Sequence, residues 1–231
     1  LVVPLSSALT VWLTYLLGRR LFDAPQTGLV AAALVAVSPV FLYQIMNAMS
    51  DVPVTAAWTL ALVLVVSERP WLCGLAIGAA IMIRPNLAPL AGVFVAWVAL
   101  THWRSLFRLA AGSALGLCAV LLVNWRMYGS PLTSGYGEIG HYYAWAFGLA
   151  NLRRYPLWLV DTQTPLVLFA ACFFVVPVLF PRPRVGHLRT LLGGIIGVVF
   201  LSYLFYTPFD AWWFLRFLLP MWPVIMLLSA V

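Results

Sequence analysis

The chain is a succession of apolar runs, each about 15–20 residues long, joined by short links that hold most of its charge. A run of that length is close to what a helix needs to cross the hydrocarbon core of a bilayer. In lipid every backbone N–H and C=O must be satisfied within the protein, which demands helices rather than open sheet. The runs fall at about 2–17, 27–43, 53–67, 71–84, 86–101, 108–124, 163–180, 190–206 and 215–231. Only 8% of the 231 residues are charged, against about 25% in a soluble domain. The expected fold is therefore all-α, a polytopic transmembrane bundle of about nine spans. The fourth and fifth runs are separated only by Arg84-Pro85-Asn86, so they read as a tight hairpin or as broken helices.

Thirteen arginines and no lysine carry the positive charge. In a soluble chain that excess would suit nucleic acid; between membrane spans it is a topology signal and a contact for lipid headgroups, and no nucleic-acid partner is expected. Alternate links hold Arg19, Arg20, Arg69, Arg104, Arg108, Arg182, Arg184 and Arg189 on one side, and Arg84, Arg126, Arg153, Arg154 and Arg216 on the other. The richer set lies in short links and is assigned to the cytoplasm. Asp51, Glu138, Asp161 and Asp210 then face outward, while Asp23 and Glu68 face inward. The outer face thus carries both signs of charge, as a site for a phosphorylated substrate would.

The chain opens on Leu1 and closes at Val231 within an apolar run. It reads as one transmembrane-domain fragment of a longer protein, with an external loop at about 124–163 and no signal peptide. Cys73, Cys118 and Cys172 lie inside apolar runs at no metal-ligand spacing and read as packing residues. Gly74/Gly78, Gly112/Gly116 and Gly193/Gly197 are helix-packing spacings, not chemistry.

Asp51 is the one charged residue between Asp23 and Glu68. It precedes Val52-Pro53, so it reads as a helix N-cap, or as a carboxylate that binds a metal or orients a sugar hydroxyl. In the external loop, Asn124-Trp125-Arg126 leads into Tyr128-Gly129-Ser130-Pro131, then Tyr136, Glu138, His141, Tyr142, Tyr143 and Trp145. Such aromatics stack on sugar rings and also populate membrane interfaces. Glu138 and His141 would share a helical face, yet two residues do not make a zinc site. Arg84 and Arg216 adjoin apolar runs and need anionic partners; a guanidinium grips phosphate bidentately, and Asp210 is a structural partner for Arg216.

Taken in order, Ser38-Pro39, Ser50-Asp51-Val52-Pro53, Gly74-Leu-Ala-Ile-Gly78, Arg84-Pro85, Tyr128-Gly129-Ser130-Pro131, Gly135-Tyr136 and Arg216-Phe-Leu-Leu-Pro220 resemble bacterial C-type glycosyltransferases. These polytopic enzymes are related to protein O-mannosyltransferases and the lipid A aminoarabinose transferase. The resemblance covers nearly the whole chain. It implies a polyprenyl-phosphate sugar donor, used on the non-cytoplasmic face of the bacterial inner membrane. The family's main catalytic base lies in a first external loop that precedes residue 1, so a first span and loop, and the C-terminal end, are expected to be missing and the fragment inactive alone. By resemblance Asp51 is a second, donor-proximal acid with a divalent metal ion as candidate cofactor, and Arg84 and Arg216 are donor-phosphate contacts. Arg126, Tyr136, Glu138 and His141 complete the expected substrate-binding set.

The expected activity is transfer of a hexose or pentose from that donor to a lipid, glycan or protein hydroxyl. No Gly-rich nucleotide loop is present, and a lipid-linked donor needs none. A transporter or lipid flippase is the alternative; it predicts inverted repeats and charges at span centres, and neither is found.

Overall fold

The structure, a computed structural model, describes residues 1–133, 141–175 and 187–231. Among them eleven α-helices run in chain order: α1 Val2–Phe22, α2 Pro25–Ala36, α3 Pro39–Ile45, α4 Asp51–Val66, α5 Pro70–Ile83, α6 Leu90–His102, α7 Leu106–Tyr128, α8 Gly148–Gln163, α9 Phe169–Val175, α10 Leu188–Leu204 and α11 Trp222–Ser229. The described residues form no strand beyond an isolated antiparallel bridge, Tyr143 to Tyr206. The all-α expectation holds.

Proline sets many of these boundaries. Pro25, Pro39 and Pro70 each open a helix, where the missing N–H costs nothing. Between α2 and α3 the axis bends by 60°; Ser38 Oγ accepts from Phe41 N there and caps α3. Arg19 and Arg20 stand in the last turn of α1, where the helix dipole favours cations, and Asp23 ends that helix in the left-handed region at φ 55°.

Among the described residues, fewer helices are long and apolar enough to cross a membrane than the nine runs suggested. Three stretches are long and apolar enough: Val2–Phe22, Pro85–Tyr128 and Trp212–Ser229, with α2 and α3 together a fourth. Other apolar helices stop short: α4 has 16 residues, about 24 Å at 1.5 Å per residue, below the ~30 Å of a bilayer core. Hydropathy counts residues, whereas prolines and non-helical links use residues without adding helical length. The 86–101 and 108–124 runs lie in the single stretch Pro85–Tyr128, divided at His102, whose backbone leaves the helical region (φ −145°, ψ 55°). Nor do the fourth and fifth runs form a packed hairpin, since α5 lies against α4 and α7, and α6 against α10.

Helices α4 and α11 sit at the centre. Eleven of the sixteen α4 residues are buried, and Trp222 to Leu228 of α11 are buried on every side. A helix apolar all round belongs in such a position. Helix α7, by contrast, buries only Leu109, Gly112 and Gly116, and packs mainly on α5. A Cβ added to Gly116 would lie 2.3 Å from the Gly78 backbone, and one added to Gly74 2.3 Å from the Leu109 carbonyl. The first two glycine spacings are therefore one interface. The third is not: a Cβ on Gly197 meets nothing within 4 Å, and one on Gly193 meets only the Phe174 ring. A further close approach, Gly18 to Gly28 between α1 and α2, carries no such spacing in the sequence.

Two clusters of contacts among the described residues agree with the arginine grouping, and Arg182 and Arg184 of that grouping lie outside the described residues. One cluster joins Asp51, Arg84, Tyr143 and Arg216 to their neighbours. In the other, Arg20 donates to Ser67 Oγ and His102 lies 3.9 Å from Glu68.

Candidate functional site

Asp51 is the first residue of α4 and is 1% exposed. Its carboxylate at a helix N-terminus is favoured by the dipole, but it does not cap: Ser50 holds the cap position, and neither residue makes a side-chain cap hydrogen bond. The Asp51 carboxylate instead faces Arg84, the residue that ends α5, with Oδ1 2.8 Å from Nη1. The N–H is not lined up on that oxygen, so the contact is one of charge rather than an aligned hydrogen bond. Thr55 Oγ1 donates to the Asp51 carbonyl at 2.7 Å and stiffens the first turn.

Arg216 arrives from the far end of the chain, on the 3₁₀ segment Trp212–Met221. Ten residues is long for that geometry. The second half of the segment, Phe217 to Met221, is buried together with Leu215, while Trp213 is exposed and Phe214 and Arg216 are partly so. The Arg216 guanidinium carbon lies 5.2 Å from the Phe214 ring centre and 5.1 Å from that of Phe217. Arg84 lies 5.6 Å from the same Phe217 ring. Two guanidinium groups therefore share one aromatic ring, a favourable cation–π arrangement. Arg216 Nη1 reaches Met49 Sδ at 2.6 Å, and its buried Nε has no hydrogen-bond partner among the described residues. Asp210 is exposed and does not pair with it, so the Arg216–Asp210 pairing expected from sequence is replaced by aromatic and sulfur contacts. Among the described residues the cluster holds two guanidinium groups and one carboxylate.

Asn86, two residues past Arg84, donates from Nδ2 to Tyr203 Oη at 3.0 Å. Its side chain also hydrogen-bonds Tyr143 of the external loop. Burial raises the Tyr143 pKa, and the Asn86 bond and the Arg84 charge oppose the rise without cancelling it. The phenol therefore stays protonated at neutral pH and acts as a hydrogen-bonding group, not as a base. Tyr203 is stacked on Phe217 at 5.1 Å, Tyr206 meets the same ring edge-on at 5.3 Å, and Phe209 is stacked on Phe214 at 3.8 Å.

The structure thus unites Asp51, Arg84 and Arg216. It does not add Arg126, which is exposed in the last turn of α7 and makes no hydrogen bond or ion pair among the described residues. His141 is likewise exposed and unengaged. Tyr136 and Glu138 lie outside the described residues. Asn86, Tyr143, Tyr203, Phe217 and Met49 were not singled out from sequence. Asn86 was visible beside Arg84-Pro85, and Tyr143 within the loop aromatics; Tyr203 and Phe217 lie in apolar runs that give no hint of their neighbours. For a metal at Asp51, no group of three His, Cys, Asp or Glu exists among the described residues, and the nearest charge to Asp51 is a cation. The described residues give such an ion one ligand, and no step below is routed through it.

A family model described as dolichyl-phosphate-mannose-protein mannosyltransferase matches residues 1–128, more than half of the chain. The chain belongs to this family. The match includes Asp51 and Arg84, whereas Arg216, Tyr143 and Tyr203 come from beyond it and are brought in by folding. No curated protein and no solved structure matches the chain. The mannosyltransferase family membership and the apolar helices together make this an integral membrane protein and a glycosyltransferase of that type.

Proposed function

We propose that this mannosyltransferase-family chain moves a sugar from a polyprenyl-phosphate donor to a hydroxyl of a lipid, glycan or protein on the non-cytoplasmic face of a bacterial inner membrane. The observation that carries the reading is the pair Arg84 and Arg216, both against the Phe217 ring, with the buried Asp51 carboxylate beside Arg84. A partly buried pair of arginines at a membrane boundary suits an anionic group. Guanidinium suits a phosphate oxygen pair better than ammonium does.

In the reaction, the acceptor oxygen forms a bond to the anomeric carbon as the bond from that carbon to the phosphate oxygen breaks. The hydroxyl proton passes to a carboxylate base, and the lipid monophosphate leaves with the bonding electrons. Arg84 and Arg216 stabilise the charge that grows on the leaving phosphate. Asp51 holds Arg84 and sets its direction; the resemblance assigns proton removal to another acid, in the family's first external loop. The donor's tail has a place to lie as well. An open groove of about 500 Å³ between α1, α2 and α3 is lined by Val11, Trp12, Leu29, Phe41 and Ile45, and Ile45 is four residues from Met49.

The test is sugar transfer in membranes by the full-length protein supplied with polyprenyl-phosphate sugars, comparing wild type with Arg216→Gln and Arg216→Lys. Losing one charge-assisted contact to phosphate is expected to lower kcat/KM about 10- to 100-fold, with Lys restoring only part. Equal transfer by all three would remove Arg216 from the site, and flux of substrate across vesicles without transfer would favour transport.

A further inference from the structure

Helix α10 ends at Leu204 just beneath the two arginines, and the last carbonyls of a helix have no partner within it. Here two of them, with the Tyr206 carbonyl just beyond the helix, are collected by one side chain from α8. Asn151, 1% exposed, donates through Nδ2 to the carbonyls of Tyr203 at 3.3 Å, Leu204 at 2.9 Å and Tyr206 at 2.6 Å. Its amide has two hydrogens for three acceptors, and turning the amide over would set its oxygen against all three, so the orientation is fixed. Tyr155 Oη adds a bond to the Tyr203 carbonyl at 3.4 Å, and Arg154 Nη1 donates to the Phe209 carbonyl. The external loop joins the same strip of chain. Ala144 N donates to Phe205 O at 3.0 Å, and Thr207 N donates to Tyr142 O at 2.8 Å.

What this clamp holds is the residue that touches both arginine-bearing segments. The Tyr203 hydroxyl accepts from Asn86, two residues beyond Arg84, and its ring lies on Phe217, the neighbour of Arg216. Tyr206, held through its own carbonyl, supports the other contact to Phe217. From this geometry we infer that Asn151 is a positioning residue for the anion site: acting through Tyr203, it fixes the spacing of Arg84 and Arg216. Asn151 touches neither arginine, and its effect passes through the backbone of the α10 end. The inference rests on the phosphate-binding reading of that pair, and extends it to a residue in a different helix from any arginine of the site.

Two readouts on the full-length protein in nanodiscs separate the outcomes. The first needs no ligand: modification by phenylglyoxal, mapped by mass spectrometry. Asn151→Leu keeps the approximate shape and removes the donors, and should change Arg216 labelling about three- to tenfold, the range of one lost hydrogen bond, with exposed Arg126 unchanged. The second is kinetic. Asn151→Leu and the milder Tyr203→Phe, which drops only the Asn86 bond, should raise the donor KM by a similar factor and lower kcat with it, while the acceptor KM stays near wild type. A merely structural Asn151 would lower the melting temperature and the yield while the folded fraction kept wild-type labelling and donor KM, and that result overturns the inference. If Asn151→Leu does not fold, Tyr203→Phe decides: unchanged Arg216 labelling in that variant also overturns it. Changed labelling with no transfer from any polyprenyl-phosphate sugar, even by wild type, would sink the donor assignment and keep the positioning role.

Discussion

Removing one member of a buried ion pair is costlier than removing both, because the survivor keeps its charge without its partner. Asp51 and Arg84 are a clear case, with side-chain exposures of 2% and 16%. Asp51→Ala alone is expected to cost about 3 kcal/mol, the low end for such pairs given the poor hydrogen-bond alignment. The double variant Asp51→Asn with Arg84→Gln should cost at least ~1 kcal/mol less than the two single changes added together. Unfolding in mixed detergent, followed for the four proteins of the cycle, checks this; strict additivity would mean that the two charges do not feel each other. At this scale the sequence was a good guide to Asp51, since a lone acid in an apolar stretch advertises itself. Of the two readings it offered for Asp51, the cap is not what the helix uses. A cap is a local device readable from neighbouring residues, whereas the partner actually used lies at the end of the next helix. Arg216 was legible for the same reason as Asp51, yet its expected partner, Asp210, was chosen by nearness in sequence. Folding placed aromatic rings and Met49 there instead.

Among the elements, the α5–α7 contact shows how backbone proximity turns small residues into necessities. Gly116→Ala would drive a methyl group into the Gly78 backbone, which has no flexible side-chain end to yield. The two helices must separate, at a cost of about 2 kcal/mol or more. Gly197→Ala meets open space in the middle of α10 and should be neutral or stabilise by up to about 1 kcal/mol, since alanine restricts the unfolded chain and favours helix. Melting of the two purified variants beside wild type gives the comparison, and equal losses would contradict the interface described. The spacing of the glycines was plain in the sequence; which spacings meet a backbone was not, because the same pattern at Gly193 and Gly197 faces a ring and a void. The count of nine spans is not confirmed for a related reason. Apolar length is summed along the chain, while a crossing is a length in space. Pro39 bends the run 27–43, and the runs 86–101 and 108–124 lie in one stretch broken at His102.

For the whole molecule, alternating passage through a membrane requires the links to group at two ends. Single cysteines placed at Asp161 and at Trp103, in a chain freed of Cys73, Cys118 and Cys172, should react with a membrane-impermeant maleimide from opposite sides. Labelling of both from one side would break the assigned topology. The arginine count proposes such a grouping without any structure, because charge at span ends follows a rule of the membrane rather than of the fold. The site itself was only half legible. Its first portion lies in a short stretch rich in polar exceptions, but Tyr203, Phe217 and Asn151 are ordinary residues in ordinary helical runs, and only tertiary packing gives them a role. Met49 and Arg216 are separated by 167 residues, and Asn86 and Tyr203 by 117. Contacts of that span close late, after the intervening chain has been made and has packed. A nascent chain that has emerged as far as α7 already owns Asp51 and Arg84 and still has no cradle. The cradle therefore waits for the segment that carries Tyr203, Arg216 and Phe217, and a molecule truncated before that segment would lack it.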